Sequence, residues 1–124
     1  MKVVIVEPLT SARIADIEES LDAYQRIVGG YIECVYPFTD ACIVCNEEGK
    51  MRGLTLNREL TDSNGNIVDI ISGTFFIVGL GEDDFKSLTD EQAESYRAMY
   101  AEPKMFVKKG TRIVAVPVPV IGGK

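Results

Sequence analysis

The sequence predicts an α+β fold, in which a curved, largely antiparallel sheet is packed by about two helices in a single domain. Three observations predict this class. Runs of β-branched and aromatic residues are joined by short turn segments, as in hairpins. Two segments carry helical periodicity together with capping residues. The chain has 124 residues, which suits one domain, and we expect that domain to span residues 1–110.

The N-terminal part is expected to hold two strands and one helix. Val3–Val6 is a short apolar run and predicts the first strand. Ser20 is a favourable helix N-cap and Gly29 supplies a stop, which favours a helix over Leu21–Val28. Arg13–Ile17 then remains as a strand. A single longer helix across both segments is the alternative.

The middle of the chain predicts two hairpins and a central strand. Asn64-Gly65 is the strongest short hairpin signal in the sequence. Thr74–Gly79 carries apolar residues on both faces, which is typical of a central strand. The other four predicted strands are Tyr31–Tyr36, Ala41–Cys45, Leu54–Leu60 and Ile67–Ile71.

The C-terminal part is expected to hold a helix, a basic turn and an arm. Thr89-Asp90-Glu91-Gln92 is a capping box that begins the helix. The basic residues from Lys104 to Arg112 predict an exposed turn. Ile113–Ile121 is apolar. Pro117 and Pro119 would remove backbone N–H donors from one edge of a strand, so this segment cannot be a central strand. Residues 111–124 are expected to form an arm that covers a sheet edge in its own subunit or docks onto another subunit, and we favour a homo-oligomer.

Composition excludes several function classes. Hydrophobic residues make up 46% and charged residues 26%, as in an ordinary folded domain. The formal net charge of −6 argues against a nucleic-acid partner. No apolar run approaches the ~20 residues that span a bilayer, and the first run is too short for a signal peptide, so we expect no membrane partner and a cytoplasmic protein.

Nucleophilic and metal chemistry have little support. The chain contains no His, which removes Ser-His-Asp and Cys-His catalysis and histidine-ligated metals. Cys42 and Cys45 form a CxxC, but on a strand they point to opposite faces, so with Cys34 they are interpreted as small buried hydrophobes. Asp62, Asn64 and Asn66 match the first ligands of a calcium loop, but its sixth position is Ile67 rather than Gly and its twelfth is Gly73 rather than Glu, so a hairpin turn is the preferred interpretation. No cofactor is expected.

One polar island lies between the two most apolar stretches of the chain. It consists of Cys45–Lys50 and the segment Gly53–Arg58. Asn offers paired donors and acceptors, Arg binds phosphate or carboxylate, and aromatic rings offer a surface for stacking. These properties predict a site for a small anionic, nucleotide-like ligand, with no catalytic residue and no metal. The predicted ligand-binding residues are Tyr36, Phe38, Asn46, Glu47, Asn57, Arg58 and Thr74.

A purely structural role for the island is the alternative. In that interpretation Asn46 caps the turn, and Arg58 pairs with Glu47 or Glu48. Both interpretations satisfy the requirement that buried polar groups find partners, so the sequence leaves them open.

Several segments together resemble the DUF3846 family, over residues 3 to 100. The resemblance implies an accessory protein of a bacteriophage, plasmid or conjugative element, and it carries over no activity and no catalytic residues. The segments that carry it are Val28–Glu33, Tyr36-Pro37-Phe38, Cys45–Lys50, Gly53-Leu54, Leu56-Asn57-Arg58 and Asp69–Leu80.

Three functions follow as hypotheses. The first is a binding protein that sequesters a small host nucleotide signal without turnover, as a counter-defence device in the host cytoplasm. The second is a protein-binding inhibitor of a host defence enzyme, which the acidic balance and the apolar arm favour. The third is a nucleotide hydrolase that uses carboxylates and a metal, and no carboxylate spacing supports it.

Overall fold

The fold is described from a computed structural model that covers residues 1–118. Pro119 and the end of the predicted Ile113–Ile121 segment lie outside the described residues. Within them the chain forms ten strands and two helices. The strands are β1 (Lys2–Val6), β2 (Arg13–Asp16), β3 (Ile32–Val35), β4 (Ala41–Asn46), β5 (Leu56–Thr61), β6 (Ile67–Ser72), β7 (Phe75–Leu80), β8 (Phe85–Lys86), β9 (Lys104–Lys109) and β10 (Arg112–Pro117), and the helices are α1 (Leu21–Val28) and α2 (Asp90–Met99).

The main sheet is antiparallel throughout and has the order β2-β1-β7-β4-β3, with β8 paired to β7. β7 lies between β1 and β4, and five of its six residues are buried. A strand in that position has no solvent face, which is why its sequence is apolar at consecutive positions. The predicted α+β class and the central position of this strand are both confirmed.

The two faces of the sheet bury separate apolar clusters. Phe76 and Val78 of β7 pack on one face with Tyr24 and Val28 of α1. Phe75 and Ile77, on the opposite face, belong to a cluster that also takes in residues of α2, β5 and β6; its largest members are Phe75, Ile77, Leu60, Ile71, Tyr96 and Tyr100. The sheet is therefore covered on both faces, by α1 on one and by α2 with the β5–β6 hairpin on the other.

Both helices begin where the capping residues predicted. The Ser20 side chain accepts a hydrogen bond from the Ala23 backbone N–H, and Gly29 ends α1 at a φ of 82°. A left-handed φ of that kind favours glycine. Thr89 and Gln92 form the reciprocal bonds of a capping box at the start of α2. The shorter version of the first helix is confirmed, and Arg13–Asp16 is a strand.

Two further hairpins lie outside the main sheet. β5 pairs with β6 across a turn in which Asp62 Oδ1 accepts hydrogen bonds from the Asn64 and Asn66 backbone N–H groups, both at 2.9 Å. The hairpin interpretation of this turn is confirmed. β9 pairs with β10, and this pairing corrects the predicted basic turn, because only Gly110 and Thr111 turn. The β-forming residues between the lysines account for the strand.

β10 is an edge strand, as its prolines required. The Val118 N–H donates to the Pro103 carbonyl at 2.9 Å, so Val118 faces β9. Alternation along the strand then turns the nitrogen of Pro117 to the outer edge. The boundary expected after Gly110 falls within the turn of this hairpin, so the first part of the predicted arm is paired in its own chain.

Asp40 fastens α2 to the turn between β3 and β4. Its carboxylate accepts hydrogen bonds from the Tyr96 hydroxyl and the Gln92 amide. The hydrogen bond from Tyr96, followed by the one from Gln92, lowers the pKa of Asp40. This contact joins residues more than fifty positions apart.

We predict that Asp40→Asn lowers the free energy of unfolding by about 1 kcal/mol at neutral pH, less than for a buried charged hydrogen bond because Asp40 is exposed. The lowered pKa means that this stability is complete above the unfolded pKa of about 4 and is lost as pH falls through the folded pKa. Urea denaturation across pH checks this. The difference between the two proteins should shrink below about pH 4, and a constant difference would contradict the assignment.

Candidate functional site

A bulge in β5 buries two consecutive polar residues. The register with β6 shifts between Leu56 and Arg58, so Asn57 is the extra residue in its strand. In a regular strand neighbouring side chains point to opposite faces, and a bulge breaks that rule. Asn57 is 0% exposed and Arg58 is 1% exposed. The bulge therefore brings an amide and a guanidinium into the interior together.

The Asn57 side chain joins three parts of the fold. Its Nδ2 donates to the Val6 carbonyl at 2.9 Å, at the end of β1, and to the Gly73 carbonyl at 2.8 Å, just before β7. Its Oδ1 accepts a hydrogen bond from Arg58 Nη1 at 2.9 Å. Three of its hydrogen-bonding positions are thus used inside the protein, which makes Asn57 a structural connector.

Arg58 is held by oxygens that carry no formal charge. Its Nη2 donates to the Thr10 carbonyl at 2.6 Å and to the Tyr100 carbonyl at 2.9 Å, and its Nη1 donates to Asn57. Within residues 1–118, no carboxylate lies within ion-pair distance of it. Burial lowers its pKa, although an arginine stays charged at neutral pH. A positive charge is therefore buried without an ion pair.

One donor of Arg58 is left over. The Nε–H is buried and has no hydrogen-bond partner in the described structure. Leaving a buried charged donor unpaired is costly, more so than for a neutral one. The unpaired Nε–H shows where the internal hydrogen-bond network around Arg58 is incomplete.

Arg58 lines a cavity of about 350 Å³ between β5, the Pro37-Phe38 turn and the end of α2. Phe38 is half-buried there, with its ring centroid 4.6 Å from that of Tyr96. Lys104 and Glu59 also line it and form an ion pair at 2.9 Å. Burial raises the pKa of the Tyr100 hydroxyl, another lining residue, to about 12, so it stays neutral. The cavity combines aromatic surface with two cationic side chains, Arg58 and Lys104, and two carboxylates, Glu59 and Glu102.

Asn46 and Glu47 lie elsewhere. Asn46 Nδ2 donates to the Val28 carbonyl at 3.1 Å and its Oδ1 accepts from the Glu48 backbone N–H at 2.7 Å, so it links the end of α1 to the turn after β4. Glu47 is exposed, and both residues line a smaller cavity of about 200 Å³. The turn-capping role of Asn46 is confirmed, whereas the predicted pairing of Arg58 with Glu47 or Glu48 is wrong, because Arg58 contacts other partners.

The remaining predicted residues separate further. Thr74 lines a third cavity, of about 340 Å³, and Tyr36 is 64% exposed. Of the seven residues, the structure brings Phe38 and Arg58 to one cavity, with Asn57 behind them in the interior, and Asn46 and Glu47 to another. The lining residues that the sequence did not suggest include Glu59, Met99, Tyr100, Glu102 and Lys104. Glu59 follows Arg58 directly, whereas the others come from a distant segment of the chain, so their spacing in the sequence could not have suggested them.

The competing motifs have structural explanations. Cys42 and Cys45 belong to the clusters on opposite faces of the sheet, as predicted for a strand. The three cysteines are free thiols. No group of three or more metal-ligating side chains occurs among residues 1–118. In the same range, neither helix has the length and apolar character needed to cross a bilayer.

Comparison with known proteins gives one match. The model of a family described as a domain of unknown function, DUF3846, matches residues 1–101. No curated protein and no solved structure matches the chain. The match includes β5 and α2, and it ends before β9.

We predict that Asn57→Leu lowers the free energy of unfolding by about 3–5 kcal/mol, because two buried carbonyls and Arg58 lose a partner. Urea denaturation measures the loss. Asn66→Ala, in the exposed turn of the β5–β6 hairpin, is the matched control and should cost about 0.5 kcal/mol. Similar losses in the two variants would contradict the connecting role of Asn57.

We predict that at most one thiol of the folded protein reacts quickly with a thiol reagent at mildly alkaline pH. Burial raises the pKa of Cys42 to about 12 and that of Cys45 to about 11, so neither forms the reactive thiolate. Absorbance of the released reagent group counts the thiols, and all three cysteines should react after denaturation. Rapid reaction of two thiols in the folded state would restore a redox role for the CxxC.

Proposed function

The chain belongs to the DUF3846 family, and from that premise we propose that it binds a small anionic ligand with a flat ring in the cavity beside Arg58, without converting it. The observation that carries this proposal is the buried guanidinium of Arg58, which has no carboxylate partner and one unpaired Nε–H. Burying an isolated charge is among the largest costs a fold can carry. An anion in the cavity would offset it.

The position of Arg58 favours binding over general charge attraction. Its four Nη hydrogens are directed to three carbonyls and one amide oxygen, so the guanidinium has one fixed orientation. A fixed donor binds a ligand with little loss of side-chain entropy. Lys104 supplies a second positive charge at the cavity, where it pairs with Glu59, and Glu102 adds a further negative charge. Phosphate and carboxylate are the groups that such donors recognise.

The apolar lining supports a ring on the same ligand. Phe38 and Met99 line the cavity beside Arg58, and they also line a neighbouring cavity of about 460 Å³. The first cavity, at about 350 Å³, is near the lower end of small-molecule sites and suits one nucleotide unit. A ligand with a second unit has room to extend into the neighbouring cavity, where Asp40 and Gln92 offer polar groups.

The physiological role that we propose is sequestration of a nucleotide signal in the host cytoplasm. This role rests on the mobile elements that the family resemblance implies, together with the absence of histidine from the sequence. Sequestration requires only that the ligand bind tightly and be released intact. Inhibition of a host protein would use a surface rather than this cavity, and hydrolysis would yield a product.

We predict that a cyclic dinucleotide or a cyclic ADP-ribose isomer binds the purified protein and that Met99→Trp weakens this binding at least about tenfold. The indole fills the cavity from an exposed helix position, so folding should be unaffected. Calorimetric titration measures the affinity. Val68→Trp, at an exposed position of β6 that lines neither cavity, is the matched control and should bind as the unaltered protein does.

Three outcomes would overturn the proposal. The first is no heat with any member of the panel, and the second is equal binding by the two tryptophan variants. The third is conversion of the ligand, which chromatography of the ligand recovered after denaturation would detect. Inorganic phosphate serves as the probe for the anion alone, and binding as tight as that of the nucleotides would remove the role proposed for the ring.

A further inference from the structure

Positive and negative charge are divided between two parts of this chain. All nineteen Asp and Glu lie within residues 1–102, where eight Lys and Arg leave a net charge of −11. Residues 103–124 carry the other five bases and no acid. The family match ends at residue 101, so the basic part follows the matched domain. Opposite charge on two parts of one molecule favours contact between copies.

The basic part presents an apolar surface. In the β9–β10 hairpin, Met105 is paired with Val116 and Val107 with Val114, so these four side chains share one face. Met105 is 51% exposed, Val107 37% and Val116 39%. The opposite face lies towards β5, where Lys104 pairs with Glu59. Adjacent exposed apolar side chains on one face are typical of an interaction surface.

The tip of the hairpin adds charge to this surface. Lys108, Lys109 and Arg112 surround the turn, all are exposed, and none forms an ion pair among residues 1–118. Lys109 and Arg112 continue the apolar face, since they are paired with each other in the same register. The face is therefore apolar along its length and cationic at its end.

We propose that this hairpin face packs on the acidic domain, residues 1–102, of a second copy of the chain. Charge complementarity selects the occupant, because the remainder of the same molecule supplies the negative surface at equal concentration. The contact uses the face and not the outer edge of β10, where Pro117 provides no donor for an added strand. This surface is separate from the cavity beside Arg58, so the proposal does not depend on the proposed function.

Two charge variants with the same net charge test the proposal. Lys108→Glu, Lys109→Glu and Arg112→Glu together reverse the tip, whereas Arg13→Glu, Arg26→Glu and Lys86→Glu reverse three exposed bases outside it. Light scattering coupled to size exclusion gives the mass in solution. We expect a mass above one chain for the unaltered protein and the control, and the mass of one chain for the tip variant. Circular dichroism verifies that each variant is folded.

A second pair of measurements keeps the proposal testable should a charge variant fail to fold. The mass of the unaltered protein should fall as salt rises, because screening weakens the contact. Val107→Thr, which keeps a β-branched residue on the strand, should weaken association about tenfold. A single-chain mass for the unaltered protein at every concentration would overturn the proposal. So would equal masses for the two charge variants, or a mass increase that comes from co-purified nucleic acid.

Discussion

The burial of Arg58 is the constraint on which the arrangement of this fold depends. Its guanidinium donates hydrogen bonds to the Thr10 carbonyl, in the loop after β1, and to the Tyr100 carbonyl, at the end of α2. Asn57, beside it, reaches the end of β1 and the start of β7. These segments converge because each supplies an oxygen to a charge or an amide that has no access to water. A charge buried without an ion-pair partner is costly for a fold, and the hydrogen bonds around Arg58 offset part of that cost.

This arrangement couples folding to the proposed binding. The donors that hold β1, β5 and α2 together are on the same side chain that lines the cavity. A ligand that binds only the folded protein stabilises it in proportion to its concentration over the dissociation constant. An anion in the cavity beside Arg58 would therefore act on this network as well as fill the cavity. Stability and affinity are expected to change together when this network is altered.

Capping and turn residues in the sequence predicted most of the helices and strands. The site depends on contacts between distant segments, which such local patterns do not indicate. Ser20 and Thr89 located the helices because a cap satisfies donors within its own turn. Asn64-Gly65 located a hairpin for a similar reason. β9 was missed because its lysines suggested a turn, and its pairing with β10 is what makes it a strand. The bulge at Asn57 was unpredictable, since alternation would place Asn57 and Arg58 on opposite faces, and so the sequence grouped Arg58 with the wrong partners.

The proposal requires that an anion bound in the cavity changes the environment of the buried Arg58 guanidinium, and nuclear magnetic resonance can observe its Nε–H proton directly. In a ¹H–¹⁵N spectrum of the arginine side chains, burial should slow exchange with water and keep this resonance visible at neutral pH. During titration with the nucleotide that binds most tightly, the Arg58 Nε–H resonance is expected to shift progressively until the cavity is saturated. A resonance that stays in place at saturation would contradict the proposal.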